Sequence, residues 1–177
     1  KKFIAHVDSL FNVKLDEKHF AESEDITAAG LIGNYVHGNE PSHHVPYLYV
    51  FAGAPWKTQE RIHQIVNTMY RNATDGLCGN DDCGQMSAWY IFSSIGFYPV
   101  CPGSNEYVIG APSVEKATIN LENGKQFTVK ATNLNEKNIY IQRIILNGNT
   151  LNGYILKHEE IMNGGTLEFV MGAKPKK

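Results

Sequence analysis

Two short stretches hold most of the groups in this chain that could do chemistry. The first is GLCGNDDCGQMSAWYIFSSIGFYP, residues 76–99, where Asp81 and Asp82 stand side by side in a glycine-rich loop. Asn80, Asp81 and Asp82 are good helix N-caps, and Gln85 follows Asp82 by three positions, a relative of the capping box. The apolar run behind them predicts a helix of about three turns that ends near Gly96 and is closed by Pro99. A carboxylate at a helix start faces the positive end of the helix dipole, which favours its ionised form by roughly 0.3–1 kcal/mol. That suits a general base or a metal ligand. It equally suits a plain N-cap.

The second stretch is HGNEPSHH, residues 37–44, with His37, Asn39, Glu40, His43 and His44 inside eight positions. Pro41 prevents a continuous helix and Gly38 permits a sharp turn. Pro46 opens a new helix, Val45 to Ala52, ended by Gly53. Helical zinc sites use His pairs at i, i+4, whereas His43 and His44 are adjacent and diverge. The oxygen-rich Asn39–Glu40 pair suits a hard cation such as calcium. The bland alternative is a polar turn whose histidines bond to backbone.

The surrounding elements must position these loops. Phe3, Val7, Leu10 and Phe11 form one helical face over 2–12. Residues 20–31 are polar and predict a loop leading to a short helix, with Glu24 or Asp25 as helix-start acids. Thr58 to Ala73 carries Ile62, Ile65, Val66, Met69 and Tyr70 on one side. Asn72-Ala73-Thr74 has the form of a glycosylation acceptor. Beyond Pro99 helical periodicity gives way to short alternating runs at 106–109, 116–121, 126–131, 139–146, 154–156 and 166–170. Asn123-Gly124 is a strong hairpin signal. Helices followed by strands predict an α+β chain. It divides into a helical part, 1–101, and a small antiparallel β-sandwich module, 102–177.

Composition bounds the function. The chain has 177 residues, 42% of them hydrophobic, which is ordinary for a packed globular fold. A net charge of −2 without a basic block argues against nucleic acid or an anionic membrane as partner. No apolar run reaches membrane-spanning length. The three cysteines, Cys78, Cys83 and Cys101, contain no C-x-x-C; a zinc site is disfavoured and small buried thiols are expected. The lack of an initiator Met and of a signal peptide points to a fragment or processed piece.

GNDDCGQMSAWYIFSSIGFYPV together with HGNEPSHHVPYLY resembles the C-terminal part of a glycoside hydrolase family 92 α-mannosidase. The resemblance implies that the helices are the tail of an (α/α)6 toroid. It implies a calcium-dependent, inverting exo-α-mannosidase acting on mannose-containing glycans, α-1,2-linked above all. Carried onto this chain, it makes Asp82 the general base and Asp81 the second candidate, with Asn80 where a further acid is expected. It makes Asn39 and Glu40 calcium ligands. His37, His43, His44 and Gln85 become sugar-binding residues. Trp89 could stack on a sugar, though an aromatic in mid-helix belongs more often to a core. The family's general acid is expected in a Tyr-x-Glu-Gly-x-x-Trp segment, which this chain does not contain, so the chain is expected to be inactive without the N-terminal part of the same enzyme. Helices stripped of their toroid neighbours would expose apolar faces and self-associate. The implied location is secreted, periplasmic or on a bacterial cell surface. The competing readings are a non-catalytic carbohydrate-binding or scaffold module, and a hydrolase or phosphorylase of another (α/α)6 family.

Overall fold

The computed structural model describes residues 1–14 and 30–177. The loop and short helix expected at 20–31, with Glu24 and Asp25, lie almost wholly outside the described residues. The rest is mixed α and β. Helix α1, Lys2–Asn12, is followed by a minimal hairpin of β1, Leu31–Ile32, and β2, Tyr35–Val36. The loop from His37 then forms two 3-10 turns, Glu40–Ser42 and Val45–Tyr47, the second running into the single turn of α2, Leu48–Phe51. Pro41 and Pro46 sit in the first turns of the two 3-10 segments, where a missing N–H costs nothing.

Helix α3 spans Pro55–Thr68 and buries Ile62, Ile65 and Val66. It starts three residues before the expected position because Pro55 takes the first helical position. It ends short of Tyr70 and Ala73. Tyr70 instead bridges to Leu77, and the Arg71 amide donates to the Gly76 carbonyl at 2.9 Å, closing a tight loop. Helix α4, Gln85–Ile95, has the expected three turns and ends at left-handed Gly96. A Cβ on Gly96 would lie 2.8 Å from the Phe169 ring, so this glycine also lets the helix end press onto the sheet.

The remaining elements are β3 (Phe97–Tyr98), β4 (Glu106–Ile109), β5 (Lys116–Asn120), β6 (Gln126–Thr132), β7 (Tyr140–Leu146), β8 (Asn149–Thr150), β9 (Ile155–Lys157), helix α5 (His158–Met162) and β10 (Gly165–Gly172). They form a three-stranded sheet, β3-β4-β9, and a five-stranded sheet, β5-β6-β10-β7-β8. The larger sheet is mixed rather than antiparallel, because β10 pairs in parallel with β6 and antiparallel with β7. The β5–β6 hairpin turns at Asn123-Gly124 as its sequence predicts, with Gly124 at φ 78°. Strand β3 precedes residue 102 and yet pairs with β4.

Two cores result. One gathers Val7, Phe11, Tyr35, Tyr47, Tyr49 and Trp89 with the apolar stripe of α3. The other gathers Phe97, Ile109, Phe127, Val129, Leu167 and Phe169 between the sheets and α5. Phe92 of α4 packs against both. Across the junction Gln59 of α3 accepts from the Ile141 amide at 3.1 Å, and Tyr140 donates to Glu60 at 2.8 Å. Cys78 is buried, but Cys83 and Cys101 are exposed free thiols, contrary to the expectation of three buried ones.

The two chemical loops meet backbone to backbone. A Cβ on Gly79 would lie 2.3 Å from the Gly38 carbonyl oxygen, and one on Gly38 would lie 2.8 Å from the Cys78 carbonyl oxygen. Gly79 is absent from the residues with positive φ, so its requirement is space alone. Gly79→Ala is therefore expected to cost roughly 1–3 kcal/mol by overpacking, read as a lower urea midpoint. An unchanged midpoint would show that the crossing has room to spare.

Candidate active site

The HGNE loop and the start of α4 enclose a cleft of about 590 Å³ lined by Glu40, His43, Asp82, Gln85, Tyr98 and the prolines around them. The two aspartates behave differently. Asp81 Oδ1 accepts from the Ser87 amide and the Ser87 hydroxyl, both at 2.9 Å. Ser87 is the third residue of α4, so Asp81 caps the helix across the Asp82–Gly84 turn. Asp82 is exposed, sits at φ 47° and extends into the cleft lining. Its carboxyl is in hydrogen-bonding contact with Glu40. That contact above all, with some burial and the charges of Glu40 and Asp81, holds its pKa above the ordinary carboxylate value. The Asp82–Gln85 capping box does not form. Gly84 takes the N-cap position at φ 92°, and Gln85 turns its side chain away.

The histidines also part company. His37 is fully buried. Its Nδ1 lies 2.9 Å from the Tyr35 hydroxyl and its Nε2 lies 2.7 Å from the Tyr70 hydroxyl. Tyr70 gives its single proton to the Met86 carbonyl at 3.1 Å. The Tyr70 oxygen can therefore only accept from His37, which puts the His37 proton on Nε2 and leaves Nδ1 to accept from Tyr35. Burial, helped by the neighbouring His43, pushes the His37 pKa down to about 3, so the ring is neutral. With both nitrogens committed inside the chain, His37 is not a sugar ligand. It ties the HGNE loop to the first turn of α4.

His43 is buried except for the edge it turns to the cleft. Its Nε2 donates to the His37 carbonyl at 3.0 Å, and its own carbonyl accepts from Trp89 Nε1 at 3.0 Å. Burial lowers its pKa as well. With its proton on Nε2, its Nδ1 accepts from Gln85 Nε2 at 3.3 Å, and the same Gln85 nitrogen donates to the Tyr98 hydroxyl at 3.0 Å. His44 is exposed on the cleft rim. Asn39 precedes the first 3-10 turn as its N-cap, gives its carbonyl to the Ser42 amide at 3.2 Å, and stands outside the cleft lining. Trp89 is fully buried and belongs to the core.

Tyr35, Tyr70 and Tyr98 were not evident as site residues. Tyr70 read as part of the α3 stripe, and Tyr98 lies in a two-residue strand with no periodicity to mark it. Among the described residues no group of three or more His, Cys, Asp or Glu is placed to hold a metal. The carboxyl oxygens of Glu40 and Asp82 match a hard cation, whereas the committed His37 and His43 nitrogens disfavour zinc.

Residues 1–173 match the family model for the glycosyl hydrolase family 92 catalytic domain. A family GH92 α-mannosidase from Bacteroides thetaiotaomicron superposes with a TM-score of 0.89 at 46% identity over 98% of this chain and 22% of that one. A family GH92 inverting mannosidase from the same species gives 0.81 at 40% identity, over 97% of this chain and 24% of that one. An uncharacterized secreted glycosidase from Arthroderma benhamiae is 39% identical over 76% of this chain and 18% of its own length. The chain thus spans about a fifth of the length of these relatives.

The two aspartates separate by stability. Asp81→Ala removes a cap and is expected to cost about 0.5–2 kcal/mol. Asp82→Asn removes a like-charge contact. A carboxyl whose folded pKa is raised contributes stability below its unfolded pKa and loses it as pH rises through the folded value. Asp82→Asn should therefore leave the melting temperature unchanged or raise it at pH 7, as calorimetry would show. For His37 the sign is opposite. Its depressed folded pKa leaves stability complete above about 6.5 and eroding between 6.5 and about 3, by at most about 1.4 kcal/mol per pH unit. NMR of the imidazole should find His37 neutral at pH 5, and a titration near 6.5 would contradict its burial.

Proposed function

This chain belongs to glycosyl hydrolase family 92, and from that premise we propose that it forms the base-bearing wall of an α-mannosidase acting by inversion on mannose-containing glycans, α-1,2-linked ones foremost. The observation that carries the reading is the division of labour between Asp81, committed to the helix start, and Asp82, exposed in the cleft. Asp82 is the general base. Its exposure in the cleft leaves the carboxylate open to a water molecule, from which it takes a proton in the transition state.

An inverting pair of carboxyl groups stands roughly 6.5–9.5 Å apart, to admit the attacking water. Glu40 and Asp82 are in hydrogen-bonding contact and so are not that pair. The acid that protonates the leaving oxygen comes from chain outside this one, in keeping with the relatives' greater length. The helices are then one side of an (α/α)6 toroid, and 102–177 a β module docked on it. Phe3, Phe51, Tyr90 and Ile91 are exposed on helices and supply the apolar seam for the remaining toroid. Separated from that remainder, the chain self-associates through the same faces.

Calcium suits this site. Glu40, with Asn39 beside it in sequence, would hold the ion. When bound, calcium would take sugar oxygen atoms as ligands and so help to hold the ring distorted towards its oxocarbenium-like state. Gln85, His43 and His44 line the space a sugar would fill. The secreted relative supports a location outside the cytoplasm; the chain is placed by this reading as secreted, periplasmic or on a bacterial cell surface. Among the described residues no helix is long and apolar enough to cross a membrane.

In the full-length enzyme, Asp82→Asn is expected to lower turnover roughly 10²–10⁴-fold with substrate affinity little changed, and Asp81→Asn to act mainly through stability. Steady-state kinetics on an aryl α-mannoside decides, and near-full turnover by Asp82→Asn would remove the assignment. The chain alone should not hydrolyse that substrate. Glu40→Gln should weaken calcium binding in a calorimetric titration of the full-length enzyme, and unchanged affinity would place the ion elsewhere.

A further inference from the structure

We propose that Gln85 and Tyr98 form a donor–acceptor pair that fixes one hydroxyl of the bound sugar, with Tyr98 as a specificity-determining residue; this rests on the glycosidase reading above. The network around His43 settles the direction of every bond. His43 Nε2 donates to the His37 carbonyl, so the neutral ring presents a lone pair at Nδ1. Gln85 must therefore turn its N–H groups towards His43 and Tyr98. This leaves Gln85 Oε1 with no donor among the described residues. It is also not sealed from solvent, because the buried unpartnered polar atoms there are Thr58 Oγ1 and Ser94 Oγ alone.

Tyr98 is the complementary case. Its oxygen accepts from Gln85, and its own proton finds no acceptor among the described residues. Burial raises the phenol pKa, so the proton stays on it. The ring is held by stacking on Tyr47, with centroids 5.3 Å apart and planes 20° from parallel. The strand carrying it is pinned to β4 through the Tyr98–Val108 pair. Both residues line the cleft that contains Asp82. The wall therefore offers one fixed acceptor and one fixed donor, borne by neighbouring side chains. A sugar hydroxyl, which gives one proton and accepts another, satisfies both at once. A carboxylate or an ammonium satisfies only one.

The test is Tyr98→Phe in the full-length enzyme, which keeps the stacked ring and removes only the O–H. Aryl α-mannoside and its set of monodeoxy analogues are the substrates. The variant is expected to fold with a melting temperature lowered by no more than the loss of the Gln85 bond to the phenol oxygen, and to lose roughly 3–10-fold in kcat/KM on the parent sugar, the worth of one neutral hydrogen bond. On one monodeoxy analogue, wild type and variant should be equal, because the hydroxyl that Tyr98 serves is already gone. The same loss on every analogue, or none on the parent, would overturn the pairing. Asp82→Asn, run alongside, keeps the two readings apart, since loss of the base lowers turnover on all analogues alike. If Asp82→Asn is inactive and Tyr98→Phe is neutral, the pairing fails and the base assignment stands.

Discussion

The contact on which this site depends contains no functional side chain. Cys78–Gly79 and Gly38 pass each other with backbone against backbone, closely enough that a methyl group on Gly79 would overlap the Gly38 carbonyl. One loop brings Glu40 two residues after its glycine, and the other brings Asp82 three residues after its own. Only because the chains cross this tightly do two carboxyl groups, 42 positions apart in sequence, come into hydrogen-bonding contact. Nearby Gly30 repeats the constraint, since a Cβ there would lie 2.9 Å from the Cys78 carbonyl oxygen. The glycines therefore serve close approach, while Gly84 and Gly96 serve left-handed backbone at the two ends of α4.

Such a crossing would slide without a second tie, and the buried histidines supply it. The run Tyr35, His37, Tyr70, Met86 uses each of its polar protons once and leaves none of its own side-chain donors or ring nitrogens unpaired. Its partners come from β2, the HGNE loop, the end of the α3 segment and α4. His43 adds a second tie through the His37 carbonyl and Trp89. A fully satisfied buried network specifies a single arrangement, because any slip would strand donors and acceptors out of reach of water. His37, which looks like a ligand in the sequence, is thus scaffold for the residues that line the cleft.

Much of this was legible. The α1 boundaries, the length of α4 and its stop at Gly96, the Asn123-Gly124 hairpin and most strands follow from periodicity and turn chemistry, which are local. The misses are non-local. Whether an N-capping acid is Asp81 or Asp82 depends on a left-handed turn over Asp82–Gly84 that lets Asp81 reach Ser87. Nothing in the run of residues distinguishes buried His37 from cleft-lining His43, since their fates depend on tyrosines up to 33 positions away. The parallel pairing of β6 with β10 joins strands that no short-range pattern relates. The end of α3 gave way because Tyr70 is claimed by His37 and Met86, which outweighs the helical stripe it completes.

Electrostatics then divides the site. A charge that must be fixed is given donors, as Asp81 is given the Ser87 amide and hydroxyl. Asp82 finds no such donors among the described residues and is set beside another carboxyl, Glu40, which holds its pKa up. Two neighbouring residues of one type are driven to different tasks by which of them the helix start consumes. Moving the cap by one position would leave Asp81 open and Asp82 spent. The turn over Asp82, Cys83 and Gly84, all at positive φ, is what sets that register. It strains two non-glycine residues to do so, and the strain sits where the cleft needs an exposed carboxyl.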